Sequence, residues 1–285
     1  MRKTAVVMDS TGYLTPDILE ANDIRIVTLN VNIGEETFPE VELSNKDLFY
    51  KLSKISGSST TSQPSVGSFL KVYQDLISSG YEEIISIHLS KNISGTLSSG
   101  QMAKDLIPES KIQLFDSGSS ALGLGFLAWA AGDLANQGLR VSEIISQLPL
   151  LKEKIELYFI VDTLEYLQRG GRIGGAAALL GTLLQIKPIL HFNSEGVIDV
   201  FEKVRSKGRA WQRVFTELER ALQSGNTHRI AVIHVGIPEE ASAIAEKLGK
   251  DFPGHDIRVF EAGPVIATHV GPGALGLSFH PWPLV

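Results

Sequence analysis

Short apolar runs alternate with longer stretches of helical periodicity along the first half of the chain. Residues 5–8 are uniformly apolar and predict a strand. Pro16 opens a short helix over 16–21. Residues 24–33 are β-branched and partly alternating, which predicts one strand. Ser44 is a good N-cap for a helix reaching about residue 55. Helices over 66–79, 94–107 and 119–137 then alternate with strands over 84–89 and 111–115. That alternation predicts a parallel sheet covered on both faces. Ligands of such sheets bind beyond the carboxyl ends of the strands.

The pattern changes in the second half. A helix over 141–154, a strand over 157–161 and a short helix over 164–168 lead to Arg169-Gly170-Gly171-Arg172-Ile173-Gly174-Gly175. This glycine-rich turn opens an apolar helix over 176–184. Strands over 186–192 and 197–202 flank Asn193-Ser194-Glu195-Gly196, a hairpin signal. A helix over 207–223, a strand over 229–234, a helix over 239–251 and a strand over 257–260 follow. A hairpin among helices implies an antiparallel sheet. The fold expected is α/β in two domains: a mainly parallel α/β domain over 1–155 and an α+β domain over 156–285. A glycine- and proline-rich loop, Gly263 to Gly276, carries His269 near the end of the chain.

Composition narrows the function. With 285 residues, 43% of them hydrophobic, there is ample material for a core. A net charge of −6 and the absence of any Lys/Arg run argue against nucleic acid and anionic membrane as partners. The chain has no cysteine, which removes disulfides, thiolate nucleophiles and Cys-ligated metals together. The histidines show no i, i+4 pair, so no metal site and no cofactor are expected. The apolar run before Asp9 is too short for a signal peptide, and no run approaches the ~18 residues of a spanning helix. A cytoplasmic protein without a membrane span is expected, with transient membrane contact left open.

The chemistry on offer is mostly hydroxyl. Thr60-Thr61-Ser62-Gln63-Pro64-Ser65 precedes a helix, and Ser90-Lys91-Asn92-Ile93-Ser94-Gly95-Thr96 follows a strand. Asp9-Ser10-Thr11 and Asp116-Ser117-Gly118-Ser119-Ser120 also follow strands. Each cluster can be a helix cap and nothing more. Yet a helix start leaves N–H groups unpaired and favours an anion, and a parallel sheet would set the three post-strand clusters on one edge. His269 can be a packing residue, or a functional one held by its glycines. Gly170 to Gly175 lacks the Gly-Lys-Ser/Thr ending of a phosphate loop, so a tight turn with Arg169 and Arg172 paired to carboxylates is the simpler reading. Ser94-Gly95-Thr96 is not a nucleophile elbow. Asp9, Asp116 and Glu165 are candidate acid–base groups that nothing in the sequence pairs. The apolar stretch from Gly174 to Leu190 is either buried core or the wall of an apolar cavity. A polar anchor beside such a cavity suits an amphiphile.

Taken together, these motifs resemble the DegV family, which includes the fatty-acid-binding subunit of bacterial fatty acid kinase. The matching segments are Asp9-Ser10-Thr11, Thr61-Ser62-Gln63-Pro64-Ser65, Ser94-Gly95-Thr96, and Asp116-Ser117 followed by Leu122-Gly123-Leu124-Gly125. They continue with Leu164-Glu165-Tyr166-Leu167, Gly170-Gly171-Arg172-Ile173, Lys187-Pro188-Ile189-Leu190, Lys203-Val204-Arg205 and His269-Val270-Gly271-Pro272-Gly273. The resemblance implies a long-chain fatty acid in a buried tunnel, and no catalytic residue in this chain. Thr61 or Ser62, Ser94 and His269 would meet the carboxylate, with Gly95, Thr96 and Gly271 beside them. Ala177, Leu180, Leu184, Ile186 and Ile189 are the tunnel candidates. Arg205 would face an ATP-dependent kinase subunit that converts the bound acid to an acyl phosphate. The alternatives are a stand-alone hydrolase or phosphotransferase using Ser94 or Thr61, and a regulatory module that binds another protein.

Overall fold

The computed structural model describes residues 3–55, 57–180 and 186–283. Its first sheet is parallel, in the order β2-β1-β6-β7, built from β1 (Thr4–Asp9), β2 (Ile24–Val27), β6 (Glu83–His88) and β7 (Lys111–Asp116). β1 is buried along its whole length, as a central parallel strand must be when helices cover both faces. On one face lie α3 (Val66–Ser78) and α4 (Thr96–Asp105), packed on each other. On the other lies α5 (Ala121–Asn136), which touches β1 and β6 and also the second sheet. α5 is apolar nearly all round, which is why it can sit between two sheets.

The strand expected over 24–33 is two strands. At Thr28 and Leu29 the backbone leaves the parallel sheet, because Leu29 N–H donates to Ser10 Oγ and Leu29 C=O accepts from Glu40 N. The chain continues as β3 (Asn30–Ile33), the middle of a small antiparallel sheet ordered β4-β3-β5. β4 is Glu36–Pro39 and β5 is Ser59–Ser62. The hydroxyl stretch Thr60 to Ser65 is therefore half strand and half cap. Thr61 pairs with Val31, and Ser65 Oγ accepts from Ser68 N at 3.0 Å to start α3.

The second sheet begins with β8 (Glu156–Ile160) and runs β10-β9-β8-β13-β11-β12. β9 is Lys187–Phe192, β10 Ile198–Val204, β11 His228–His234, β12 Asp256–Glu261 and β13 Leu275–Pro281. Only β11 and β12 pair in parallel among these strands; the remaining neighbours are antiparallel. The mixed α/β class expected from the sequence is the class observed. α8 (Lys207–Leu222) and α9 (Pro238–Asp251) pack on the outer face, around Tyr158, Ile160, Ile189 and Leu277. The inner face, with Leu157, Leu190, Ala231 and Ile233, joins the core shared with the first sheet.

Two other expectations change. The glycine-rich run 174–179 is a 3₁₀ turn, Gly174–Leu179, rather than the start of an α-helix, and the rest of the helix expected over 176–184 lies outside the described residues. The loop expected around His269 is a helix, α10 (Pro264–Val270). Pro264 pre-sets its first turn, and Gly271 at φ 77° ends it. α10 packs against α2 (Asn45–Leu52), against α7 (Glu165–Arg169) and against β3 and β5.

Candidate functional site

A cavity of about 350 Å³ lies between the two halves, mostly apolar with a set of polar groups on its wall. Thr61, Ser62, Gln63, Ser94, Arg172 and His269 are on its wall. Alternation along β5 aims Thr61 inward and leaves Ser62 exposed at the rim. Thr61 Oγ1 and His269 Nε2 share a hydrogen bond of 2.8 Å. Ser94 Oγ lies 2.9 Å from Thr96 Oγ1 and accepts from Thr96 N at 3.3 Å. Gly95 is on the wall, and a Cβ there would stand 2.1 Å from Gln63 Oε1, so glycine permits this approach. Thr96 is buried behind the wall, where it holds Ser94.

The imidazole of His269 is neutral at neutral pH. Burial, with a smaller push from the Arg172 guanidinium, lowers it from 6.5 to about 4. Its Nδ1 faces Gly170 and has no hydrogen-bond partner among the described residues. If that atom carried the proton, a buried N–H would go unpaired. A bare acceptor is the less costly of the two, so the proton belongs on Nε2, donated to Thr61 Oγ1. The Thr61 hydroxyl proton is then free to point into the cavity. Arg172 is tied down by Nε to Ile93 C=O at 3.0 Å and by Nη1 to Gly170 C=O at 2.6 Å. Among the described wall residues it is the one permanently charged side chain. A neutral hydroxyl donor and a fixed cation on a mostly apolar wall are the groups that an anion would need.

The sequence pointed to some of these residues and not to others. Thr61, Ser62, Ser94, Gly95 and His269 come together on the wall. Thr96 and Gly271 stand behind it; Gly271 is the turn after α10, closed over the Tyr166 ring. Arg205 is exposed after β10, away from the cavity. The four described tunnel candidates are not on the wall. Ala177 and Leu180 are exposed, Ile186 is half-buried against the main core, and Ile189 packs in the outer core. Leu184 lies outside the described residues. The apolar wall is drawn instead from inward-facing positions of separate strands, such as Phe159, Phe192, Ile198 and Ile233, and from Val235 just past β11. Arg172 and Gln63 were missed as wall residues. Arg172 stood in the glycine-rich run, where a cation beside a close backbone approach was the available signal.

The acid–base candidates do not meet. Asp9 is fully buried and accepts from Thr11 N and Leu89 N, beside His88 at 3.2 Å. Asp116 accepts from Gly118 N, and Glu165 pairs on the surface with Arg169 at 3.5 Å. Of the three post-strand clusters, the second reaches the cavity through Ser94 and the third through Ser120, and Ser90 N donates to Ser119 C=O to join them. The first does not reach it. Among the described residues no group of three or more His, Asp or Glu comes together to hold a metal, and no helix is long and apolar enough to cross a membrane.

Comparison with known proteins gives these features a family. The model of the DegV family, described as an uncharacterised protein family, matches residues 3–281. The chain is 41% identical to Protein DegV of Bacillus subtilis over 277 residues, covering 96% of this chain and 98% of that one. It is 40% identical over 278 residues to a DegV domain-containing protein of Listeria innocua, covering 97% of this chain and 98% of that one. The crystal structure of Bacillus subtilis DegV, described as a fatty acid binding protein, superposes with a TM-score of 0.91 at 38% identity over 99% of this chain and 100% of that one. A DegV family protein from Thermus thermophilus, whose structure is described by its fatty acid binding, superposes at 0.89 with 31% identity over 99% and 100%. The fold and the site thus define an α/β protein of two main sheets, similar to proteins that are described as binding fatty acids. The chain belongs to the DegV family.

Proposed function

We propose that this protein binds one long-chain fatty acid, with the carboxylate at the Thr61–His269–Arg172 end of the cavity and the alkyl chain along the inner face of the second sheet. The observation that carries the reading is a mostly apolar cavity whose wall gathers Thr61, Ser94, Arg172 and His269, in a chain whose relatives are described as fatty acid binding proteins. Residues 1–155 would supply Thr61 and Ser94; residues 156–285 would supply Arg172, His269 and most of the apolar wall. Each hydrogen bond to the carboxylate contributes roughly 1.5–3 kcal/mol. Each buried methylene contributes about 0.8 kcal/mol. Over a long chain the tail term is larger, so the tail gives affinity and the head gives orientation.

A head group held still by groups that cannot attack it suits a carrier. We infer that the bound acid is presented to an ATP-binding kinase partner that phosphorylates the carboxylate, with Arg205 on the contact surface. A nucleophilic role for Thr61 would need a base able to take its proton. His269 has a pKa of about 4 and no acid on Nδ1 to steady an imidazolium. Mass spectrometry of lipid extracted from the purified protein tests the binding step. Finding no fatty acid, and no uptake of added palmitate, would sink it. Arg205→Ala should leave uptake intact and slow acyl phosphate formation by the kinase; loss of uptake would remove Arg205 from the partner surface.

A further inference from the structure

Among the described residues on the cavity wall, only Ser62 and Gln63 are exposed; the others are buried or half-buried. A residue that meets both the cavity and the solvent marks where the two come closest. The mouth therefore lies at the end of β5, next to Thr61 and on the polar part of the wall.

Gln63 spans that mouth from β5 to the start of α4. Its amide lies against the backbone of Gly95, where a Cβ would stand 2.1 Å from Oε1, 2.7 Å from Cδ and 2.8 Å from Nε2. Its Nε2 donates to Ser99 Oγ at 3.0 Å, one turn further along α4. Ser99 is buried, and its N–H donates to Gly95 C=O at 3.1 Å, so the acceptor is fixed on the helix that the amide covers. The backbone of the bridge is fixed too. Ser62 before it pairs with Asn30, and Pro64 after it is buried with its φ locked by the ring. The side chain has no such support. One hydrogen bond among the described residues holds its amide, and both partners of that bond are neutral. Exchange of Ser99 for water at an exposed amide costs little, and it needs only side-chain torsions.

We propose that Gln63 is a latch over the mouth of the cavity. Closed on Ser99, its amide screens a bound carboxylate from solvent; swung away, it opens the carboxylate to a reagent from outside while the alkyl chain stays covered. The inference rests on the fatty acid reading above. Gln63 is then a positioning residue, which sets how often the head group can be reached. It takes no part in the chemistry done there.

NMR relaxation of palmitate, isotope-labelled at its carboxyl and methyl carbons and bound to the full chain, tests this. A soluble gadolinium chelate of zero net charge serves as the probe. It should enhance relaxation of the carboxyl carbon more than that of the methyl carbon. Gln63→Ala removes the screen. Ser99→Ala removes its acceptor, leaves every wall residue in place and puts a good helix former in a helix interior. Each variant should raise the carboxyl enhancement by up to about fivefold, the worth of one hydrogen bond, and leave the methyl enhancement where it was. A larger enhancement at the methyl carbon, or a carboxyl enhancement that neither variant raises, overturns the latch and leaves the binding reading standing. A folded wild-type protein that takes up no palmitate overturns both.

Discussion

Thr61 and His269, 208 positions apart in sequence, share one hydrogen bond of 2.8 Å between β5 and α10. It joins two short elements, a four-residue strand and a seven-residue helix. With the imidazole neutral and its Nε2 donating, the Thr61 hydroxyl is left as a donor toward the cavity. Thr61→Val keeps the shape and removes that donor, together with the acceptor for His269. Palmitate affinity should fall by about tenfold, as for one hydrogen bond to a charged group. Thr61→Ser should bind nearly as the wild type does. Equal affinity of the Val variant and the wild type, in a titration of the folded proteins, would remove Thr61 from the head-group site.

Gly170 controls the same imidazole from behind. Its φ of −74° is ordinary for any residue, so alanine there carries no backbone strain. The obstacle is His269, whose Nδ1 would stand 2.2 Å from the new Cβ. Gly170→Ala must push the ring or the end of α7, at a cost of about 1–3 kcal/mol. The affinity for palmitate should drop by more than the melting temperature suggests, because the displaced ring is the one that orients Thr61. A Gly170→Ala variant with undiminished palmitate binding would mean that the ring position is irrelevant to the ligand.

Much of the fold was legible because it follows local rules. The alternation of apolar runs and capped helices from Thr4 to Lys154 specified the parallel sheet, and Asn193 to Gly196 announced the β9–β10 hairpin. The single strand expected over 24–33 failed at Leu29, where two long-range hydrogen bonds to Ser10 and Glu40 redirect the backbone. No local pattern encodes those partners. The polar part of the cavity wall was legible from hydroxyl clusters and an isolated histidine. The apolar wall was not, because it was sought where apolar residues are dense along the chain. Ile189 shows the cost of that choice. It neighbours Leu190, which faces the inner core, but the period of two in a strand sends Ile189 to the outer one.

Arg172 supplies the fixed charge. Its two hydrogen bonds to Ile93 and Gly170 carbonyls hold the guanidinium in place, so little order remains to be lost when an anion arrives. Arg172→Leu should weaken palmitate by about tenfold to a hundredfold, as for one or two charge-assisted bonds. Palmityl alcohol, which has no charge, should be affected far less. The same change should raise the His269 titration from its present value of about 4, since Arg172 is one of the two influences that lower it. An equal loss for acid and alcohol would assign Arg172 a packing role only.

Glu40 gives the α10 anchor its own pH dependence. Its carboxylate is buried at 3% exposure and accepts from Tyr13 OH at 2.6 Å, Val265 N at 2.9 Å and Ser10 Oγ. It thereby clamps the first turn of the helix that carries His269. Burial pushes its pKa from 4.5 up to about 7, against the lowering effect of those three donors. A folded-state value above the unfolded one means that the folded chain keeps a proton that the unfolded chain has released. Stability from this group is therefore highest below pH 4.5 and falls as pH rises through about 7, by up to about 3 kcal/mol. Glu40→Gln has no proton to lose and should flatten that slope. Histidines that titrate in the same window act alike in both proteins, so the difference between the two stability curves isolates Glu40. Chemical denaturation at a series of pH values should show the wild type losing stability relative to the variant between pH 5 and about 7.5; parallel curves would refute the buried, proton-holding carboxylate.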